Sequence, residues 1–265
     1  MTIKLWENDI PYFNEEAETP NMMTAFIRET DKPLPAVIVF PGGGYVNRAR
    51  HEAEPIAEYY YSMGFHAFVV EYRVSPNRYP APLIDAQRAI KIVRYNAKKW
   101  NVDPDKIITL GFSAGGHLCA MTLTMDDVCT VTGDEIDKMS AKVNGGILCY
   151  ALTNVEEGYG HVGAGKNLLG DSYEDLKADY SLEKKVTADT PPCFIWHTFE
   201  DPVVNVKNAL FFADKLKENN VSCEMHIFPN GRHGLGMGDR ITDDIKEVRQ
   251  WAKLSSDWIT RTFEE

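Results

Sequence analysis

No stretch of this sequence approaches the roughly 18 consecutive apolar residues that a membrane-spanning helix needs. Its start, MTIKLWENDI, lacks the basic-then-apolar order of a secretory leader. No membrane partner is therefore expected, and the cytoplasm is the expected compartment. Basic residues are scarce: 28 Lys and Arg stand against 39 Asp and Glu, a net charge of −11 at pH 7. That balance repels phosphate backbones on average and excludes nucleic acid from the expected partners. Cysteine is scarce as well. Cys119, Cys129, Cys149, Cys193 and Cys223 are odd in number, show no C-x-x-C spacing, and mostly sit in apolar runs. They are read as reduced core thiols, not as disulfides or zinc ligands, and no metal or organic cofactor is implied. Internal repeats, low-complexity tracts and interdomain linkers are also missing.

What is present is enough apolar residue, 44% of 265, to bury a large core. A chain of this length with alternating strand and helix patterns reads as one α/β domain over residues 1–265, carrying a local insertion. Apolar runs of strand length occur at Ala36 to Phe40, Phe65 to Tyr72, Ile107 to Leu110, Ile147 to Tyr150, Cys193 to His197 and Cys223 to Phe228. Amphipathic segments of helix length lie between them at His51 to Met63, Pro82 to Trp100, Ala114 to Met125 and Val206 to Asn219. That order predicts a mostly parallel sheet covered by helices on both faces. Thr242 to Phe263 predicts a closing amphipathic helix, with Ile245, Val248, Trp251, Ala252, Leu254, Trp258 and Ile259 on one stripe. Ile3 to Trp6 and Met22 to Arg28 read as short strands forming an antiparallel edge. Between Tyr150 and Pro191 the connection is too long for a simple crossover, so residues 151–190 form an inserted, lid-like or surface segment.

The strongest local signal is Ile107-Ile-Thr-Leu-Gly-Phe-Ser-Ala-Gly-Gly-His117, in which a strand runs straight into G-x-S-x-G and then into a helical segment. A serine on so sharp a strand-to-helix turn is presented at the sheet edge. The flanking glycines give the strand and helix room to approach. Ser113 is thus the candidate nucleophile, and the Ala114 N–H at the helix start is a candidate oxyanion donor. A second glycine cluster, Pro41-Gly-Gly-Gly-Tyr45, follows the first parallel strand and offers the Gly43 and Gly44 N–H groups as partners to Ala114.

A serine hydroxyl needs a base at neutral pH. Of the seven histidines, His233 in Phe228-Pro-Asn-Gly-Arg-His-Gly-Leu-Gly236 lies on a glycine-bounded loop after the last strand, where an imidazole can reach Ser113. His66, His197 and His226 fall inside strand-like runs, His51 precedes a helix at the expected surface, and His117 suits a structural hydrogen bond. His161, in the insertion, is a candidate for substrate contact, as is Tyr45. The carboxylate that orients the base is expected after the preceding strand, in Cys193-Phe-Ile-Trp-His-Thr-Phe-Glu-Asp-Pro-Val203. Asp201 fits, with Glu200 as the alternative.

The order Ser113, Asp201, His233 is that of α/β-hydrolases. Together with Phe40-Pro-Gly-Gly-Gly-Tyr45, Glu71-Tyr-Arg-Val74 followed by Pro80 and Asp85, Gly111-Phe-Ser-Ala-Gly-Gly-His117, the His197 to Val204 stretch and Gly231-Arg-His-Gly-Leu-Gly236, the chain resembles bacterial α/β-hydrolase esterases. The resemblance is to the acetyl and acetylxylan esterases near the hormone-sensitive-lipase-like branch. One departure is Pro41, where H-G-G-G has histidine. The resemblance implies a serine esterase acting on short-acyl, chiefly acetyl, esters, including acetylated sugars or xylo-oligosaccharides. A small-molecule ester is the expected partner, and homo-oligomerisation is left open. A peptidase of the same fold and a non-catalytic protein that retains the fold are the competing expectations.

Overall fold

The computed structural model describes residues 1–239 and 245–263. Its centre is one eight-stranded sheet in the order β1-β2-β4-β3-β5-β6-β7-β8. Thr2–Lys4 (β1) and Met22–Phe26 (β2) form the antiparallel edge, with β2 running against His66–Val70 (β4). From β4 onward, Leu34–Phe40 (β3), Val102–Phe112 (β5), Gly145–Cys149 (β6), Cys193–Thr198 (β7) and Cys223–Phe228 (β8) are all parallel.

Strand periodicity divides the core into two layers. Along β3, Val37 and Val39 face one side while Ala36, Ile38 and Phe40 face the other. The first side is covered by Glu54–Ser62 (α1) and Lys246–Phe263 (α8), whose Val248, Trp251, Ala252 and Ile259 are buried. The second is covered by Ala81–Tyr95 (α2), Ala97–Trp100 (α3), Ser113–Thr124 (α4) and Lys207–Glu218 (α7). Central strands are buried on both faces, which is why they read as continuous apolar runs and not as alternating ones.

Several boundaries differ from expectation for visible reasons. The helix expected from His51 begins at Glu54, because Arg50–Glu52 forms a separate 3₁₀ turn. Strand β6 stops at Cys149 because Tyr150 has φ 33°, outside the extended region. The last helix was expected from Thr242, but residues 242–244 lie outside the described residues; the helix runs from Lys246. The insertion between β6 and β7 holds Val162–Leu169 (α5), Tyr173–Leu176 (α6) and two 3₁₀ turns, and it packs on the carboxyl edge of the sheet. Among the described residues, no helix is long and apolar enough to cross a membrane.

Candidate active site

The carboxyl ends of β3, β5, β7 and β8 deliver the functional groups, as expected for a parallel sheet. Strand β5 turns into α4 at Ser113, whose φ is +53°, a left-handed conformation held only by its surroundings. The neighbouring glycines explain how the turn closes. A Cβ on Gly111 would lie 2.0 Å from the Gly115 carbonyl oxygen, and one on Gly115 would lie 2.1 Å from that of Phe40. Neither position has space for a side chain, so G-x-S-x-G is a steric requirement of this turn.

Ser113 Oγ lies 2.8 Å from His233 Nε2, and His233 Nδ1 lies 2.7 Å from Asp201 Oδ2. Asp201 Oδ1 accepts from the N–H groups of Val203 (2.8 Å) and Val204 (2.9 Å). Burial pushes the Asp201 carboxyl up, but the bond and charge of His233 and the two amides outweigh it, so the group sits below the ordinary carboxylate range. An ionised Asp201 can only accept, so Nδ1 carries the imidazole proton and Nε2 is left with a lone pair facing the serine hydroxyl. The three residues singled out in the sequence are therefore brought into one line of bonds. Glu200, the alternative acid, is exposed.

The glycine loop after β3 is pinned peptide by peptide. Tyr72 donates to the Pro41 carbonyl (2.6 Å), and the Gly42 N–H of the same peptide donates to Glu52 Oε2 (2.8 Å). The Gly42 carbonyl accepts from Ala49, and the Gly43 carbonyl from Val46 and Asn47. Asn167 of the insertion donates to the Gly44 carbonyl at 2.8 Å. In a trans peptide the N–H points opposite the C=O. The Gly43 and Gly44 N–H groups are thus turned away from the donors that hold these carbonyls, and neither has a protein acceptor among the described residues. Ala114 contributes a third free amide, since the first N–H groups of a helix have no intrahelical partner.

Tyr45 is a correction. It was expected to contact substrate, but its ring is fully buried and its hydroxyl lies 2.9 Å from His117 Nδ1. His117 Nε2 in turn bonds the Tyr180 carbonyl (2.8 Å), so Nε2 carries the proton and Tyr45 donates to Nδ1. Burial holds His117 down at about 4, with the Tyr180 carbonyl opposing in part. The pair locks the glycine loop to α4 and to the insertion. His161 likewise has another duty: it is the N-cap of α5, with Nδ1 accepting from the Ala164 N–H at 3.0 Å.

His66 Nε2 bonds the Asn101 carbonyl and His197 Nδ1 the Thr198 carbonyl, so both are structural, as their strand positions suggested. His51 was expected at the surface. It is half-buried, and its Nε2 reaches the Gly234 carbonyl of the His233 loop at 2.9 Å. Glu52, an acid not singled out in the sequence, is 2% exposed beside the nucleophile turn. Nothing in its local pattern distinguishes it from an ordinary helix-start carboxylate.

Ser, Asp and His arrive in that chain order at one sheet edge, which is the order and placement of the α/β-hydrolase fold. It belongs to the BD-FAE family, which matches residues 25–216. It is similar to a Butyrivibrio fibrisolvens protein named endo-1,4-beta-xylanase B, 37% identical over 87% of this chain and 37% of the relative. It is also similar to the acetylxylan esterase of Xylanibacter ruminicola, 31% identical over 77% of this chain and 41% of the relative. The chain spans about two fifths of the length of these curated relatives. Among solved structures, an acetyl ester-xyloside bifunctional hydrolase from Caldicellulosiruptor lactoaceticus superposes with TM-score 0.92 at 43% identity, covering 99% of this chain and 96% of the other.

Proposed function

We propose that the protein is a serine carboxylic-ester hydrolase that removes acetyl groups from sugars, with soluble acetylated xylo-oligosaccharides as the favoured substrates and the cytoplasm as the place of action. The observation that carries this reading is the unbroken line Asp201–His233–Ser113, with bonds of 2.7 and 2.8 Å, beside unpartnered loop amides. The names of the Xylanibacter and Caldicellulosiruptor relatives supply the acetyl and xylan chemistry.

In this reading His233 Nε2 takes the proton from Ser113 Oγ as the oxygen attacks the ester carbonyl. The N–H groups of Gly43, Gly44 and Ala114 hold the oxyanion, and Asp201 stabilises the imidazolium. Collapse breaks the bond to the sugar oxygen, which leaves with the proton from His233, and an acyl-serine forms. Water then repeats the sequence with His233 as base, releasing the acid and restoring the serine.

The test is a panel of p-nitrophenyl acetate, butyrate and octanoate, acetylated xylo-oligosaccharides, p-nitrophenyl xyloside and an amino-acid anilide, with wild type and Ser113→Ala in parallel. Ser113-dependent release of acetate from the sugars is expected. Cleavage of the anilide alone would replace this reading with a peptidase. Xyloside cleavage that survives Ser113→Ala would require a second site.

A further inference from the structure

Glu52 is a buried carboxylate; among the described residues it has no Lys or Arg partner, and its one ion-pair neighbour there is His51 Nε2 at 3.6 Å. Burying an anion is costly, and an apolar residue of similar size avoids that cost, so its place just before α1 does not by itself account for an acid buried this deeply. Its contacts supply one. Oε2 accepts from the Gly42 N–H at 2.8 Å, and Oε1 accepts from the Tyr150 hydroxyl at 2.6 Å. The Tyr150 oxygen accepts in turn from the Gly236 N–H at 2.8 Å, and the Tyr150 ring meets His233 edge-on at a centroid separation of 5.0 Å. Gly42 is directly against the nucleophile: a Cβ there would lie 3.1 Å from Ser113 Cβ. A single line of bonds therefore runs from the glycine loop, through Glu52 and Tyr150, to the loop that carries the base.

The direction of that line makes the carboxylate necessary. Both ends are backbone N–H groups, which only donate. A chain with donors at both ends needs, somewhere along it, a group that accepts from both sides, and the two oxygens of an ionised glutamate do so. Burial, with the charge and bond of Glu52, raises Tyr150 well above the usual phenol range, so its hydroxyl keeps the proton it donates.

We infer that Glu52, acting through Tyr150, is a positioning residue that couples the glycine loop to His233, holding oxyanion donors and general base in register with each other. The inference rests on the hydrolase reading above. Its prediction concerns Glu52→Gln, which keeps the shape but turns an NH₂ either onto the Gly42 N–H or onto a Tyr150 oxygen that already accepts from Gly236, leaving the Tyr150 proton without its acceptor. The glycine loop or the His233 loop then loses its anchor, and misplacement of a reacting group by about 1 Å costs on the order of 100-fold.

The experiment measures kcat and KM for p-nitrophenyl acetate, and the rate of Ser113 labelling by an alkyl phosphonate. The proteins are wild type, Glu52→Gln, Tyr150→Phe, the double variant and Ser113→Ala, each with its thermal midpoint. The expected result is a loss of roughly 10- to 100-fold in kcat and in labelling rate for Glu52→Gln, with KM within about twofold, because the register matters in the transition state. The double variant should lose no more than the worse single variant, since both cut the same line. A folded Glu52→Gln with kcat within about threefold of wild type overturns the inference, as do losses that multiply in the double variant. Should Glu52→Gln not fold, Tyr150→Phe decides alone: about tenfold lower kcat at unchanged KM supports the coupling, and wild-type kcat overturns it. Hydrolysis that persists in Ser113→Ala sinks the hydrolase reading and this inference with it, whereas normal loss there beside an unaffected Glu52→Gln sinks only the coupling.

Discussion

Replacing Asp201 by asparagine is a perturbation of one atom whose consequence follows from the bonds already described. Oδ1 accepts from two backbone N–H groups, Val203 at 2.8 Å and Val204 at 2.9 Å. An asparagine at this buried position must keep its carbonyl oxygen there, because its NH₂ cannot face two donors. The NH₂ then points at His233 Nδ1, 2.7 Å away in the wild type. Nδ1 becomes an acceptor, the imidazole proton moves to Nε2, and Nε2 now donates toward Ser113 Oγ instead of accepting from it. A base in the wrong tautomer costs about 10⁴ in kcat, which corresponds to roughly 5.5 kcal/mol of transition-state stabilisation. The assay is steady-state hydrolysis of p-nitrophenyl acetate by Asp201→Asn, with the circular-dichroism melt as a check on folding. A folded variant within about tenfold of wild-type kcat would refute the assignment of Asp201 and the tautomer argument together.

Three further outcomes follow from the same structure. Gly115→Ala places a Cβ 2.1 Å from the Phe40 carbonyl oxygen and should cost roughly 3 kcal/mol or prevent folding, read by urea denaturation. His161→Ala removes the cap of α5 and should lower stability by about 1 kcal/mol while leaving KM for p-nitrophenyl acetate unchanged; a raised KM would return His161 to substrate binding. His117 titrates at about 4 in the fold. Between that value and the ordinary histidine value of about 6.5, the unfolded chain binds a proton that the native state refuses. Its contribution to stability is therefore present above about pH 6.5 and falls by about 3 kcal/mol as the pH drops to about 4. Denaturation at a series of pH values should show this slope in wild type and a flatter one in His117→Gln; equal slopes would contradict it.

The sheet and the Ser–Asp–His constellation were legible because each is written locally. Buried parallel strands are continuous apolar runs, and Gly111 and Gly115 stand where a Cβ would meet backbone within about 2 Å. Each member of the constellation follows its own strand, so the spacing of runs and loops locates it. Tyr45 was misjudged because a tyrosine beside a glycine loop looks the same whether its ring faces solvent or the core. What decides is His117, 72 residues away, a pairing that no local pattern encodes. Glu52 was missed for the same reason, since its partner Tyr150 lies 98 residues further on. His51 read as a surface residue because the contact that half-buries it comes from Gly234, at the far end of the chain. Contacts of this kind depend on which loops the sheet order places side by side, and that order is a property of the whole chain.

The acyl-serine mechanism is tested most directly by mass spectrometry of the protein quenched during turnover of an acetylated xylo-oligosaccharide, comparing wild type with Ser113→Ala. An acetyl adduct is expected on the peptide containing Ser113, forming within the first turnover, decaying as acetate is released, and absent from Ser113→Ala. Acetate release with no adduct at Ser113, or at an equal rate in Ser113→Ala, would contradict it.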